Sequence, residues 1–340
     1  MSIITGIIEN FYIAIIAVIV ATYLLNWVAD ILSDVLHLIG LKLNIPHSVR
    51  GATFDAAASS LPEFFTALIA VLVHQQFNDI GFGTIAGSGI FNVLLIPMLA
   101  ILAFKGKNIN VDLNKKGVFR DMFFYSAAIS ILIYFTAKGQ YTSITGIVLI
   151  SVYMAYLIKL YFETKKHQSE VEERTEEIEE AGGDKPYSKL LIISLFCLIG
   201  IYVLIDIIIK GALVIAATLH IPTIIVSLIV LASATSIPDT MLSIKSSKRG
   251  DIDGALSNAV GSNIFDISIC LGVPLLFIKN PVIINFNENI GIIAFLLISM
   301  FTTAFVLLHK KGIKKKSVIY MAIAYSGFLI YIILVGMKVI

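Results

Sequence analysis

Residues 45–63 read IPHSVRGATFDAAASSLPE, and residues 221–239 read IPTIIVSLIVLASATSIPD. Each stretch closes on two hydroxyls, an apolar residue, a proline and a carboxylate. The residues are Ser59, Ser60, Leu61, Pro62 and Glu63 in one, and Thr235, Ser236, Ile237, Pro238 and Asp239 in the other. Further on, GSGIFN at 87–92 is matched by GSNIFD at 261–266. The first pair is offset by 176 residues and the second by 174, so the chain repeats itself with a slightly shorter internal loop in its second half.

The surroundings of these blocks are apolar. Of 340 residues, 58% are hydrophobic and 14% charged, with a mean hydropathy of +0.92. Soluble domains carry roughly 25% charged residues, so this composition belongs to a lipid bilayer. The first apolar segment, near residues 7–39, is longer than a signal peptide and lacks a basic leader. Windows of about 20 apolar residues fall near 7–39, 48–73, 80–104, 120–137, 142–162, 189–219, 223–247, 253–278, 289–308 and 317–337. The expected fold is therefore all-α and integral to the membrane, with ten transmembrane helices.

One hydrophilic break divides the chain at 163–188, leaving a first half at 1–162 and a second at 189–340. It carries Glu170, Glu172, Glu173, Glu176, Glu177, Glu179, Glu180 and Asp184. A short solvated helix ended by Gly182 and Gly183 is the plain expectation, and a regulatory cation site the alternative. The repeats span about 45–104 and 221–278, with five spans to each half. Five is odd, so the second half enters the membrane from the opposite face. Duplicated halves of inverted topology are a transporter architecture, with the substrate site at mid-membrane between matching helices.

Lys and Arg set the orientation. Counted by alternate sides, they divide 21 to 4, with the larger share beside the central loop. That side is expected to be cytoplasmic and both termini outside, in a plasma-membrane protein.

Within the repeats, Pro62 and Pro238 each remove a backbone donor and release a carbonyl one turn earlier. Irregular backbone at membrane depth is tolerated where it lines a cavity, so interrupted helices are expected there. Glu63 and Asp239 place charge at mid-membrane, at a cost of at least ~2.5–3.5 kcal/mol each, which marks a functional site. Pro, Ser and Gly-Ser pairs taken singly read as kinks, back-bonded hydroxyls and helix packing. The paired acids resist that account. Together with Asn92, Asp266 and the hydroxyls they form a hard oxygen donor set suited to Ca2+ or Na+. The six His share no metal-ligand spacing, and Cys197 and Cys270 lie in apolar runs and read as inert core thiols. No soft ligand is thus expected in the site, which speaks against copper or thiolate zinc.

Four acids stand outside this pattern. Asp55, about 80° around an ideal helix from Glu63, suits either the cavity or its cytoplasmic mouth near Arg50. Asp206 falls within the sixth span without a repeat partner and reads as structural or snorkelling. Asp79 and Asp253 precede matching spans and read as N-caps.

GATFDAAASSLPEFFTALIAV (51–71), GTIAGSGIFNVLLIPML (83–99) and ATSIPDTMLSIKSSKRGDIDGALSNAVGSNIFDISICLG (234–272) resemble the two repeats of the cation/Ca2+ exchanger superfamily. Within it they are similar to the K+-dependent Na+/Ca2+ exchanger branch. The resemblance implies the Na+/Ca2+ exchanger fold, with Glu63 and Asp239 as central Ca2+ ligands joined by backbone oxygens of Ser59 and Thr235. It implies Ser60, Ser236, Ser88 and Ser262, with carbonyls of Ala56 and Ala232, around flanking Na+ positions. It further implies that Asn92 and Asp266 complete the centre, with Asp266 and Asn263 associated with K+ in that branch. Gly89 and Asp55 depart from the family pattern.

The expected function is Na+/Ca2+ antiport by alternating access, with Ca2+, Na+ and K+ as transported ions and no resident cofactor. The rivals are Ca2+/H+ or other divalent-cation exchange on the same fold, and a passive channel. An intramembrane aspartyl protease is disfavoured because GxGD is absent from the spans, and nothing supports nucleic-acid binding or a defined oligomer.

Overall fold

The computed structural model describes residues 10–43, 56–105, 115–164, 185–250, 252–309, 313 and 315–337. Ten helices within them are long and apolar enough to cross a membrane. The first half contains α1 (Phe11–Lys42), α2 (Ala56–His74), α3 (Phe77–Ala103), α4 (Lys115–Ala137) and α5 (Ser143–Thr164). The second contains α6 (Tyr187–Leu219), α7 (Thr223–Lys248), α8, α9 (Phe286–Leu307) and α10 (Val318–Gly336). Helix α8 comprises Ile252–Phe265, a π-helical turn at Asp266–Cys270 and a closing turn at Gly272–Leu275. Every span expected from hydropathy has a helix among the described residues, with ends a few residues from those expected; the expected start of the second span, near 48, lies outside them. Asp55, Arg50 and most of the acidic loop (165–184) lie outside the described residues.

The most buried spans are the repeat helices. About 72% of the apolar window of α3 and of α8 is buried, against 22% in α1 and 17% in α10. Glycine and hydroxyl chemistry brings the two repeats together. A Cβ on Gly87 of α3 would sit 2.7 Å from Ala232 Cβ and closer still to the Leu228 carbonyl, both on α7. The backbone of α3 also accepts side-chain hydrogen bonds from three neighbours: Asn263 of α8 at Gly89 (2.8 Å), Thr303 of α9 at Val93 (2.5 Å) and Ser247 of α7 at Ala100 (2.6 Å). Such bonds retain strength in an apolar interior.

The long helices α1 and α6 pack along each other through Val18, Ala21, Leu25 and Leu32 on one and Ile201, Ile205 and Ile208 on the other. This cluster meets α2 and α7 at Ile69, Ala70, Val226 and Leu231, and it is separate from the main core, which α3–α5 and α8–α10 dominate. The expected architecture omits one feature. Strands β1 (Gln140–Tyr141) and β2 (Val282–Ile283) pair antiparallel, tying the α4–α5 turn to the α8–α9 connection.

Two further expectations change. The helices are not unwound at the prolines: α2 continues through Pro62 and α7 through Pro238. Widened π turns instead lie at Ala70–His74 and Ser227–Leu231, on either side of the helical segments that carry the prolines. Asp79 does not cap α3 but lies inside its first turn, where its carboxylate accepts from Asn78 Nδ2 at 3.2 Å. Asp253 is likewise inside α8, one residue past its start.

Candidate cation site

The two Pro–acid helices and the two GS helices bring Glu63, Asp239, Asp266, Asn92, Ser88, Ser236 and Ser262 into one network, each with 0% of its surface exposed. Ser88 is its hub. Its Oγ lies 3.3 Å from Glu63 Oε1, 3.3 Å from Asp266 Oδ2 and 2.9 Å from Ser236 Oγ. Ser236 donates to the same Glu63 oxygen at 3.3 Å, and Ser262 donates to Asp239 Oδ1 at 3.2 Å. Residues from both halves therefore touch each acid group's neighbours, as the inverted repeat requires.

Asn92 is oriented unexpectedly. Its Nδ2 faces Asp239 Oδ2 and Asp266 Oδ2, both at 3.4 Å, and Ser88 Oγ at 3.1 Å, while Oδ1 has no partner. The groups it faces are oxygen acceptors, so a donor pointing inward is the favoured orientation. Rotating the amide would present its oxygen to an incoming cation.

Ser59 and Thr235 behave as a matched pair. Each back-bonds to the carbonyl three residues earlier, Ala56 and Ala232, at 3.2 Å in both cases. Those two carbonyls are therefore already engaged by hydroxyls. The carbonyls that lose a helical donor to Pro62 and Pro238 are those of Ala58 and Ala234. Ser59 also approaches Asp239, and Thr235 approaches Glu63, so each hydroxyl serves the acid of the other repeat. Asn263 points its amide at the Gly89 carbonyl (2.8 Å), and its buried Oδ1 is unpartnered.

Burial of three carboxylates without counter-charge costs several kcal/mol per ion. Here the demand for a cation is visible atom by atom: Glu63 Oε2, Asn92 Oδ1, Ser60 Oγ and Asn263 Oδ1 are buried with no hydrogen-bond partner. Among the described residues no three His, Cys, Asp or Glu side chains close on one point by themselves. Hydroxyl, amide and carbonyl oxygens must supply the remaining coordination, as hard cations accept.

Three residues near the acids were missed by sequence reasoning. Asn258 approaches Asp239 and donates to Ser243 Oγ at 3.3 Å; its spacing of four from Ser262 put it on the same helix face. Tyr125 of α4 lies buried, its hydroxyl 3.4 Å from where a Gly89 Cβ would be. Cys270, read as an inert core thiol, instead contacts Asp266 Oδ1 at 3.7 Å and the Ser60 carbonyl at 3.6 Å. A soft atom therefore borders the site, against expectation; its spacing of four from Asp266 was the available signal.

The surroundings of Asp206 agree with a structural role, but not with the absence of a repeat partner. Asp206 pairs with Lys210 at 2.6 Å and lies 4.0 Å from His74 Nε2 of α2. It does have a repeat partner: the offset of 176 leads to Asp30 of α1, which pairs with Lys245 of α7 at 3.0 Å.

The chain is similar to known proteins over most of its length. The family described as sodium/calcium exchanger protein matches residues 13–162 and 189–337. The chain is 29% identical over 278 residues to an uncharacterized membrane protein of Methanocaldococcus jannaschii, covering 81% of this chain and 83% of that one. It is 39% identical over 116 residues to the sodium/potassium/calcium exchanger Nckx30C of Drosophila melanogaster, a match that covers 34% of this chain and only 13% of the fly protein. Among solved structures, the sodium-calcium exchanger NCX_Mj aligns with a TM-score of 0.63 at 25% identity, over 94% of this chain and 99% of that one. The H+/Ca2+ exchanger CAX aligns with a TM-score of 0.72 over 94% of this chain and 86% of its own, at 15% identity, and so shares the fold. With both halves of the chain matched, this protein belongs to the sodium/calcium exchanger protein family.

Proposed function

We propose that the chain is a secondary active antiporter that exchanges Na+ for Ca2+ by alternating access. The observation that carries this reading is the fully buried trio Glu63, Asp239 and Asp266, shared between inverted repeats and faced by unpartnered oxygens. Ca2+ and Na+ compete for overlapping oxygens and so bind in turn. The family match and the sodium-calcium exchanger NCX_Mj support Na+ as the coupled ion, while the likeness to the H+/Ca2+ exchanger CAX fits the rival Ca2+/H+ reading.

Access fits the division between the α1–α6 pair and the rest. An open, mainly apolar groove of about 500 Å3 runs between α1 and α7, lined by Val18, Thr22, Tyr23, Asn26, Val230 and Ile237. Sliding of α1 and α6 over α2 and α7 would open the site to one side and close it to the other. The Lys and Arg asymmetry supports a cytoplasmic central loop, and the plasma membrane is the membrane this reading assigns.

Charge favours a second coupled ion. Three carboxylates exceed one Ca2+ by a single negative charge, which a K+ or a proton would balance. Each net charge moved is worth ~2.3 kcal/mol per 100 mV, so the choice sets the Ca2+ gradient that can be held.

The test is radiolabelled Ca2+ uptake into Na+-loaded proteoliposomes, with choline-loaded controls. Uptake should require internal Na+ and vanish in Glu63→Gln. Stimulation by K+ on the Ca2+ side would identify K+ as the balancing ion. Uptake indifferent to Na+ but driven by a pH step would replace this reading with Ca2+/H+ exchange.

A further inference from the structure

The π turn at Asp266–Cys270 swings a thiol against the cation site. Cys270 is 0% exposed, and its Sγ lies 3.6 Å from the Ser60 carbonyl oxygen and 3.7 Å from Asp266 Oδ1. A tetrahedral metal with bonds of about 2.3 Å to sulfur and about 2.1 Å to oxygen holds such atoms ~3.6 Å apart. Both separations already match the edges of such a polyhedron. Two more buried oxygens of α2, Ser60 Oγ and Glu63 Oε2, have no hydrogen-bond partner.

We propose that Cys270, Asp266 and the Ser60 carbonyl form a mixed sulfur–oxygen corner of the site that binds a thiophilic divalent cation of the Zn2+ and Cd2+ class. Thiolate is a soft ligand, and such ions prefer it where Ca2+ does not. On binding, the Sγ–H bond breaks, the proton passes to solvent and an Sγ–metal bond forms, with no change of oxidation state. The corner stands on the cation site described above but not on transport: the ion it holds blocks the cavity or travels through it.

The experiment is a Cd2+ titration of the purified full chain in detergent, read by the ultraviolet thiolate-to-Cd2+ charge-transfer band. The wild type and Cys197→Ser should both show the band, and Cys270→Ser should lose it. Asp266→Asn should require at least ~10-fold more Cd2+ for half-maximal signal, as removal of a supporting ligand does. No band in the wild type overturns the proposal whatever the variants do. A band that survives Cys270→Ser, or disappears with Cys197, overturns it equally. None of these readouts needs transport. A band without Na+-driven Ca2+ uptake would retire the antiport reading and keep this corner, while uptake without a band would do the reverse.

Discussion

Gly87 of α3 and Gly261 of α8 hold matching places in the two repeats, but their surroundings differ. A Cβ on Gly87 would collide with the backbone of α7, whereas one on Gly261 would meet only the Tyr156 hydroxyl, at 4.0 Å. The same inequality runs along both helices. Ser88 touches two carboxylates and Ser236, while Ser262 touches Asp239 alone. Asn92 sits in unbroken α-helix, while Asp266 opens a π turn closed by the Leu271 N–H on the Asp266 carbonyl at 3.1 Å. The first repeat thus supplies the rigid crossing and the hydrogen-bonding hub. The second supplies the extra acid, the thiol and the irregular turn, a feature common at functional positions. Duplication made the halves alike in outline, and the site depends on where they differ.

The largest test of this contrast is Gly87→Ala against Gly261→Ala. Overpacking costs about 1–3 kcal/mol, and at Gly87 the obstacle is backbone that cannot rotate away. Gly87→Ala should lower folded yield and cut the initial rate of Na+-driven Ca2+ uptake by about tenfold or more at ~1.4 kcal/mol per decade. Gly261→Ala should stay near the wild type. Equal damage at both positions would erase the asymmetry.

Next is Ser88→Ala against Ser262→Ala. A hydrogen bond to a charged group is worth about 1.5–3 kcal/mol. The single Ser88 proton lies between Glu63 and Asp266 while its oxygen accepts from Asn92, so its loss disturbs more partners than loss of Ser262, which bonds Asp239. The apparent Ca2+ affinity in uptake assays should fall further in Ser88→Ala, by about tenfold relative to Ser262→Ala. The reverse order would move the hub to the second repeat.

How much of this was legible follows from the strength of each signal. Ten windows of apolar sequence and two Pro–acid blocks are long or rare patterns, so the spans, the repeat and the three acids could be read directly. The strands at Gln140–Tyr141 and Val282–Ile283 are too short to carry a period. Cys270 was hidden because a thiol in an apolar run resembles core, and only the π turn fixes its direction. The prolines were over-read: a membrane helix can absorb the missing bond and continue. Asp30 was missed because the repeat was followed only from residue 45, although the offset of 176 extends back through α1 and α6.

That pair of acids gives the next contrast. Asp206 is bonded to Lys210 with side-chain exposures of 12% and 18%, while Asp30 and Lys245 are 40% and 48% exposed. Breaking a fully buried pair costs about 3–5 kcal/mol, and this part-buried one should cost less than that but more than an exposed pair. Asp206→Asn, which leaves Lys210 unpaired within α6, should therefore reduce folded protein and uptake together. Restoring neutrality with Lys210→Met in the same chain should recover much of both.

Asp30→Asn should do much less. An exposed pair contributes about 0–1 kcal/mol, which caps the change at roughly fivefold. Its direction is informative, because Asp30 lies on α1 and Lys245 on α7, across the seam between the α1–α6 pair and the rest. Without this tie α1 is freer to leave α7 at the end where Lys245 lies. The half-saturating Ca2+ concentration should therefore change on one side of the membrane more than on the other. Uptake measured in vesicles of both orientations reads that difference directly, and high salt should diminish it by screening the pair in the wild type. An effect equal on both faces would make the Asp30–Lys245 pair a simple surface contact, leaving its mate at Asp206 as the only one of the two that matters to transport.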